Sequence, residues 1–214
     1  MAQGVTPPAL DAGDLPAPPR QKRSRATRDK LLAAARALFA EHGYHATAVE
    51  QIAERANTAT GAFYIYFRSK RQLLIVLVTE FLHRLAALDL RPKGGADIQA
   101  GLRRFLTAAF LADRKYYGVV RAWQEAALTD PTLHPMQSAI EQWTQARIER
   151  VFRALQRYPT ARPGRDVAAL ARMMDRHFWS ILARGAQLTN RELNGEVRIA
   201  ADVIYHYLFR DAVH

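Results

Sequence analysis

The sequence contains no cysteine, which excludes a disulfide framework, a thiolate metal site and a cysteine nucleophile. It has no uninterrupted apolar run near the ~20 residues that a membrane-spanning helix needs. Its proline-rich start lacks the apolar core of a secretory signal, so we expect a cytoplasmic protein. None of the seven histidines stands four residues from another, and no phosphate-cradling glycine loop or Ser-His-acid grouping is evident. We therefore expect no catalytic residues, no metal site and no cofactor.

Positive charge is in excess, with 31 Lys and Arg against 20 Asp and Glu and a formal net charge of +11. Such an excess favours a polyanionic partner, nucleic acid above all. Basic residues outnumber acidic ones both in the first 80 positions and in the remainder of the 214-residue chain. A generally arginine-rich surface therefore stays open as the other explanation, and the charge alone does not decide between them.

The first 20 residues hold half of the ten prolines, separated mostly by small residues. Such a segment cannot bury enough apolar surface to offset the entropy of ordering it. We expect residues 1–26 to be a disordered segment that ends in a basic arm. The cations of this arm and its continuation are Arg20, Lys22, Arg23, Arg25, Arg28 and Lys30. The arm is either a solvated linker or a segment that contacts DNA phosphates or the minor groove.

Apolar residues at helical spacing predict an all-α chain of about nine helices, and no alternating strand pattern of useful length appears. The predicted helices cover 27–42, 47–56, 59–66, 69 to the break at 92–95, 97–112, 115–128, 133–155, 165–188 and 192–209. We divide them into a three-helix head, residues 27–70, and a larger helical body, residues 71–214.

Several residues mark the ends of the first helices. Gly43 and Asn57 tolerate a positive φ, so they predict the turns after the first and second helices. Thr47 with Glu50 three residues later predicts a capping box for the second helix. Ser69 predicts the N-cap of the fourth.

Residues 47–70 predict a helix-turn-helix, in which one helix braces a second that enters the major groove of DNA. The second helix begins with short side chains, which permit close backbone approach: Ala59, Thr60, Gly61 and Ala62. Thr60 can bond a base edge or a phosphate, and the hydroxyl of Tyr64 on the same face can reach a phosphate. Tyr66 and Lys70 are placed for further phosphate contacts. Phe63 and Phe67 are better interpreted as core.

The segment from Thr27 to Leu85, with its Tyr-x-Tyr-Phe-x-Ser-Lys run, resembles the DNA-binding head of TetR-family transcriptional regulators. It differs where those heads carry Ala-Gly-Val-Ser, because this chain has Ala-Asn-Thr-Ala at 56–59. Ala48 replaces the customary second threonine, which leaves Thr47 as the cap and phosphate ligand. By position, the resemblance implies a DNA-contacting set of Thr47, Thr60, Gly61, Tyr64, Tyr66 and Lys70.

The resemblance also implies a body that dimerises through its last two helices and holds a small-molecule pocket. Both helices have an apolar face, formed by Leu170, Met174, Phe178, Ile181 and Leu182 on one and by Ile199, Val203, Ile204, Tyr207 and Leu208 on the other. The alternative is that these faces only close the core of one chain. Candidate ligand-binding residues are Phe110, Tyr117, Arg121, Trp123, Met136, Trp143, Met173, Asp175, His177 and Phe178. Their alternative role is ordinary core packing.

We therefore expect a homodimeric, sequence-specific transcriptional repressor that a small, largely apolar ligand releases from double-stranded operator DNA. Two other functions stay open. A general DNA-binding protein would use the basic arm without sequence preference, and an enzyme would need a site that the sequence does not display.

Overall fold

The computed structural model describes residues 6–16, 22–88, 98–111, 114–185 and 187–209. These residues form nine α-helices and no β-strand, which confirms the predicted all-α class. The helices are α1 (Lys22–His42), α2 (Val49–Arg55), α3 (Thr60–Tyr66), α4 (Lys70–Ala87), α5 (Ile98–Leu111), α6 (Tyr117–Thr129), α7 (His134–Leu155), α8 (Val167–Arg184) and α9 (Asn190–Leu208). None of the helices in these ranges is both long and apolar enough to cross a membrane.

Three of the four predicted helix-end signals are confirmed. Gly43 has φ +81° after α1, and Asn57 has φ +53° after α2. Ser69 precedes α4, and its hydroxyl accepts a hydrogen bond from the Gln72 N–H at 3.1 Å.

The capping box predicted at Thr47 is wrong, because α2 begins one residue later than that box requires. Its N-cap is Ala48, whose N–H donates to Oε1 of Gln51 at 2.8 Å. The Thr47 hydroxyl instead donates to the Gly43 carbonyl oxygen at 2.7 Å, and Thr47 is only 1% exposed. The hydroxyl thus satisfies the carbonyl of the residue that follows α1 and does not cap the N–H groups of α2.

The first helix begins at Lys22, five residues earlier than its predicted start at Thr27. Residues 22–30 contain no glycine or proline, and their Arg, Lys and Ala residues favour helix, so nothing in the sequence stops α1 sooner. Part of the segment expected to be disordered, residues 1–5 and 17–21, lies outside the described residues. Residues 6–16 have no regular secondary structure, and the Ala12 carbonyl accepts a hydrogen bond from Nε2 of Gln72 at 2.9 Å.

The chain forms two compact units. The helix-turn-helix unit comprises Pro8–Arg84 and Lys115–Gln137, so it includes most of α4 and all of α6 in addition to α1–α3. Its core contains side chains with no exposed surface, among them Phe39, Ile52, Phe63, Phe67 and Leu73. This unit is larger than the predicted head of residues 27–70.

The end of α1 and the loop after it are held by α6. A Cβ atom at Gly118 would lie 2.5 Å from both Cα and N of Ala40, so the backbones of α6 and α1 touch at this point. Seven residues later, Oε2 of Glu125 accepts a hydrogen bond from the Tyr44 N–H at 2.6 Å. Arg121 fixes the same carboxylate through Nε at 2.9 Å. The position of α2 therefore depends on α6 as well as on α1.

The second unit contains α5, most of α7, α8 and α9, and the last residues of α4. Its helices α5 and α9 are joined by Asp202, whose Oδ1 accepts hydrogen bonds from Gln99 at 2.8 Å and from Arg103 at 2.9 Å. Buried apolar side chains fill the space between its helices, including Leu102, Phe110, Ile140, Leu170, Ile181, Val197 and Ile204.

Candidate nucleic-acid interface and cavity

The α2–α3 turn fixes which face of α3 points outward. Asn57 takes the left-handed conformation, and the Thr58 N–H then donates to the Ala53 carbonyl oxygen at 3.0 Å. This geometry buries Phe63 and Phe67 completely. As the sequence predicts, both phenylalanines are core residues, and the opposite face of α3 is left to solvent.

The outward face of α3 combines a small residue with exposed larger ones. Tyr64 is 52% exposed and Ile65 is 64% exposed. Gly61 is exposed, and a Cβ atom added there would meet no atom within 4 Å. The outward face of α3 therefore presents a hydroxyl, an apolar side chain and an open backbone position, while its inner face is buried. Major-groove contact requires the same combination of close approach and protruding side chains.

Tyr66 connects the end of α3 to the basic start of α1. Its hydroxyl lies 2.9 Å from the Ser24 hydroxyl, and the two share a hydrogen bond. The exposed residues Arg23 and Arg25 flank this serine in sequence. The arm expected to be a linker or a DNA-contacting segment is thus helical here, and Ser24 holds it beside α3.

Thr47 and Lys70 meet on the loop between α1 and α2. The Lys70 amine donates to the carbonyl oxygens of Thr47 and Tyr44, each at 2.6 Å. It also lies 4.4 Å from the centre of the Tyr44 ring, a cation–π contact. Burial lowers the pKa of Lys70 below its usual range. The structure therefore places four of the six predicted DNA contacts on α3. Of the other two, Thr47 lies on the loop between α1 and α2, and Lys70, at the start of α4, donates to that loop, so both have internal partners.

Arg68, an exposed cation that follows α3, was not among the predicted contacts. The Arg68 side chain is 65% exposed in the short connection between α3 and α4, and its ion pair with Asp14 is a long one of 3.9 Å. The sequence signal for Arg68 was its position within the Tyr-x-Tyr-Phe-x-Ser-Lys run.

The second unit contains a partly open cavity whose lining is almost wholly apolar. The lining residues are Leu85, Leu88, Leu102, Phe105, Leu106, Ala109, Phe110, Thr144, Arg147, Ile148, Val151, Phe152, Met174, Phe178 and Ile204. Ligand pockets in proteins have a similar apolar character. Two of the predicted ligand-binding residues, Phe110 and Phe178, line this cavity with their ring centres 5.1 Å apart.

Four other predicted ligand-binding residues belong to the same unit but are not part of the lining. Met173 is 47% exposed, because the next residue on α8, Met174, points to the cavity instead. Asp175 is buried, and its Oδ1 accepts a hydrogen bond from Nε1 of Trp179 at 3.1 Å. Burial raises the pKa of the Asp175 carboxyl. His177 faces Glu196 at 3.6 Å, and Trp143 lies under the guanidinium of Arg147 at 5.0 Å.

The remaining four predicted ligand-binding residues belong to the helix-turn-helix unit. Tyr117 and Trp123 are buried within it, and Nε1 of Trp123 donates to Oε1 of Gln137. Arg121 pairs with Glu125, and Met136 is half-buried. A helical spacing of large side chains does not specify which core a helix joins, and α6 joins the core that contains α1.

Comparison with known proteins agrees with this geometry. The family model for bacterial regulatory proteins of the tetR family matches residues 31–77, which include α2, α3 and the start of α4. The chain is 39% identical over 82 residues to the transcriptional regulator TcmR of Streptomyces glaucescens, a match that covers 38% of this chain and 36% of TcmR. It is 40% identical over 67 residues to the transcriptional repressor KstR2 of Mycolicibacterium smegmatis, covering 31% of this chain and 32% of KstR2. The chain thus spans about a third of the length of these curated relatives.

Solved structures extend the likeness to most of the chain. The structure of SmeT in complex with triclosan superposes with a TM-score of 0.65 at 28% sequence identity, covering 87% of this chain and 93% of SmeT. The TetR-family regulator PfmR of Thermus thermophilus has the same fold, with a TM-score of 0.67 at 23% identity and coverage of 84% and 99%. Residues 31–77 therefore match the tetR family of bacterial regulatory proteins, and the chain as a whole resembles TetR-family structures in its all-α fold.

Proposed function

We propose that the protein is a sequence-specific DNA-binding transcriptional regulator that acts in the cytoplasm. The observation that carries this proposal is the outward face of α3, where Gly61 is open and Tyr64 protrudes from a helix with a buried inner side. A protein that coats DNA without sequence preference needs cations but no such helix. The likeness to TcmR and KstR2 over the helix-turn-helix supports the same function.

We further propose that the protein is a repressor and that a small, largely apolar molecule releases it from its operator. The apolar cavity of the second unit supports ligand binding. SmeT, which resembles this chain over most of its length, was solved as a complex with triclosan. KstR2 is a repressor by its description.

Selection from a pool of random duplexes tests the DNA-binding proposal. We expect the full chain to enrich one motif with two related half-sites about one helical turn apart, ~34–36 Å. A pool that stays random while the protein still retains DNA would instead indicate a general DNA-binding protein.

The hydroxyl of Tyr64 provides a first site-directed test. Tyr64→Phe is expected to weaken binding to the selected duplex by ~1.5–3 kcal/mol, the value of a hydrogen bond to a charged group such as a phosphate. The fold should not change, since the ring remains and the residue is 52% exposed. Fluorescence anisotropy with labelled duplex measures the effect, and Tyr205→Phe on α9 is the matched control. Equal affinity of the two variants would remove Tyr64 from the contact set.

The proposed dimer rests on exposed apolar residues of the last two helices. Met173 on α8 and Ile199 and Val203 on α9 are between 42% and 55% exposed. Most of the apolar faces expected for dimerisation are instead buried within the chain itself: Leu170, Met174, Ile181, Leu182, Ile204 and Leu208. The exposed residues therefore carry the proposal, and a two-fold axis would pair two heads with two half-sites.

Charge placed on this surface should separate the subunits. Ile199→Glu combined with Val203→Glu is expected to convert a dimer to a monomer, because like charges would be buried against each other across the axis. Sedimentation equilibrium measures the mass, with Asn194→Glu on an adjacent exposed position of α9 as the control. A wild-type protein that sediments as a monomer, or a double variant that remains dimeric, would contradict this interface.

A further inference from the structure

The cavity of the second unit contains a buried arginine. Arg147 on α7 is 6% exposed and contributes to the cavity lining. Its Nη2 donates to the Leu85 carbonyl oxygen at 3.0 Å and, at a longer 3.5 Å, to that of Ala86. Both carbonyls belong to the last turn of α4, the end at which a helix carries partial negative charge.

The charge of Arg147 has no carboxylate partner among the residues that the structure describes, where no acidic oxygen lies within 4.0 Å of it. Burial and, to a smaller extent, the charge of Arg150 lower the pKa of Arg147. A buried charge is costly unless it is paired, and the two carbonyl dipoles and the Trp143 ring, 5.0 Å from the guanidinium, compensate it only in part. A guanidinium has five N–H donors in a planar fork, so most of its hydrogen-bonding capacity is unused by these two carbonyls.

The rest of the lining has no group that would bind a polar ligand. Besides Arg147, its one polar side chain is Thr144, whose hydroxyl donates to the carbonyl oxygens of its own helix at Ile140 and Glu141. The cavity therefore offers an apolar surface and a single cationic group. A neutral apolar molecule would leave the guanidinium without a counter-charge, and a cation would be repelled by it.

We infer that the cavity binds a hydrophobic carboxylic acid, with the carboxylate paired to the Arg147 guanidinium and the apolar body among Leu102, Phe110, Phe152 and Phe178. Arginine and carboxylate form two parallel charge-assisted hydrogen bonds, the strongest pairing open to this side chain. The inference rests on the proposed function in that this acid is the effector.

The same contact suggests how the acid acts on DNA binding. A carboxylate on Arg147 competes with the carbonyls of Leu85 and Ala86 for the same donors. α4 is one continuous helix from Lys70, four residues after α3 ends, to Ala87. Binding of the acid therefore weakens the hydrogen bonds between Arg147 and the last turn of α4, the helix that follows α3.

Calorimetric titration of the DNA-free full chain at pH 7.5 tests the binding step. The probes are decanoic acid with 1-decanol and biphenyl-4-carboxylic acid with biphenyl-4-methanol, so that each acid has a neutral partner of matched shape. We expect at least one acid to bind tenfold or more tightly than its alcohol, and the two pairs distinguish an alkyl from an aryl body. In Arg147→Met this preference should disappear, whereas Arg150→Met, which removes an exposed cation of the same helix, should retain it.

Arg147→Lys keeps the positive charge but loses the planar guanidinium, so it should keep only part of the preference for the acid over the alcohol. This variant provides the test if Arg147→Met does not fold. Equal affinity for acid and alcohol in the wild-type protein, no binding of either acid, or an undiminished preference in Arg147→Met would overturn the inference. A separate titration with the selected duplex distinguishes the two proposals. Acid binding that leaves DNA affinity unchanged would sustain the carboxylate site and contradict its role as effector.

Discussion

Replacing Gly118 with alanine is expected to lower the free energy of unfolding by ~1–3 kcal/mol, the usual cost of overpacking a close contact. The added Cβ would lie 2.5 Å from Cα and N of Ala40 and 2.6 Å from its Cβ. These are mostly backbone atoms of a second helix, so no side chain can rotate away and α1 and α6 must move apart. Gly118→Leu should cost more, since a larger group must occupy the same contact. Urea unfolding followed by circular dichroism measures both effects.

Gly61→Ala is the matched control for this prediction. Both glycines are helical, but a Cβ at Gly61 would meet nothing within 4 Å. Alanine is favoured over glycine in a helix by about 1 kcal/mol, so Gly61→Ala should stabilise the protein slightly. If Gly118→Ala were as stable as Gly61→Ala, the close α1–α6 contact would be contradicted.

Replacing Gly61 with leucine is expected to weaken binding to the selected duplex tenfold or more, equivalent to ~1.4 kcal/mol or more. The side chain would project from the outward face of α3 beside Tyr64, where the proposed function places the wall of the major groove. A Cβ atom at this exposed position meets no atom within 4 Å in the free protein, so we expect folding to be unaffected. Gly61→Leu therefore tests DNA contact without changing stability. A substitution at Lys70 would change both, because the Lys70 amine donates to the carbonyl oxygens of Tyr44 and Thr47.

The control for Gly61→Leu is Ala146→Leu, which adds leucine at an exposed helical position of the second unit. Affinity for the duplex, measured by anisotropy, and the unfolding midpoint are determined for both variants. A Gly61→Leu protein that binds as tightly as Ala146→Leu would show that the groove does not approach α3 at this position.

The sequence predicted the local structure of the head well, because that structure depends on local rules. Helical spacing gave the nine helices, and the residues that tolerate positive φ, Gly43 and Asn57, marked both turns. Thr47 failed as a cap because its hydroxyl lies against the Gly43 carbonyl oxygen, to which it donates, and not against the N–H groups at the start of α2. Spacing alone does not decide between such neighbours.

The candidate ligand site was harder to predict, since it depends on which helices share a core. Trp123 and Tyr117 have the size and spacing of pocket residues, yet α6 packs on α1 through Gly118. Met173 and Met174 are neighbours on α8, so an error of one residue in the predicted inward face decides which of them is assigned to the cavity. The sequence did contain a signal for Arg147. It lies in the apolar stripe of α7 between Ile140 and Val151, and charged residues are rarely buried without a partner.

The central claim, that α3 reads a specific DNA sequence, is tested most directly by the ratio of two affinities. These are the affinities of the wild-type chain for the selected duplex and for a scrambled duplex of the same length and composition, measured by anisotropy at one physiological salt concentration. Sequence-specific regulators prefer their site by a factor of about 10³ or more. We predict a ratio of that order, which falls towards one in Gly61→Leu. A wild-type ratio near one would contradict the account.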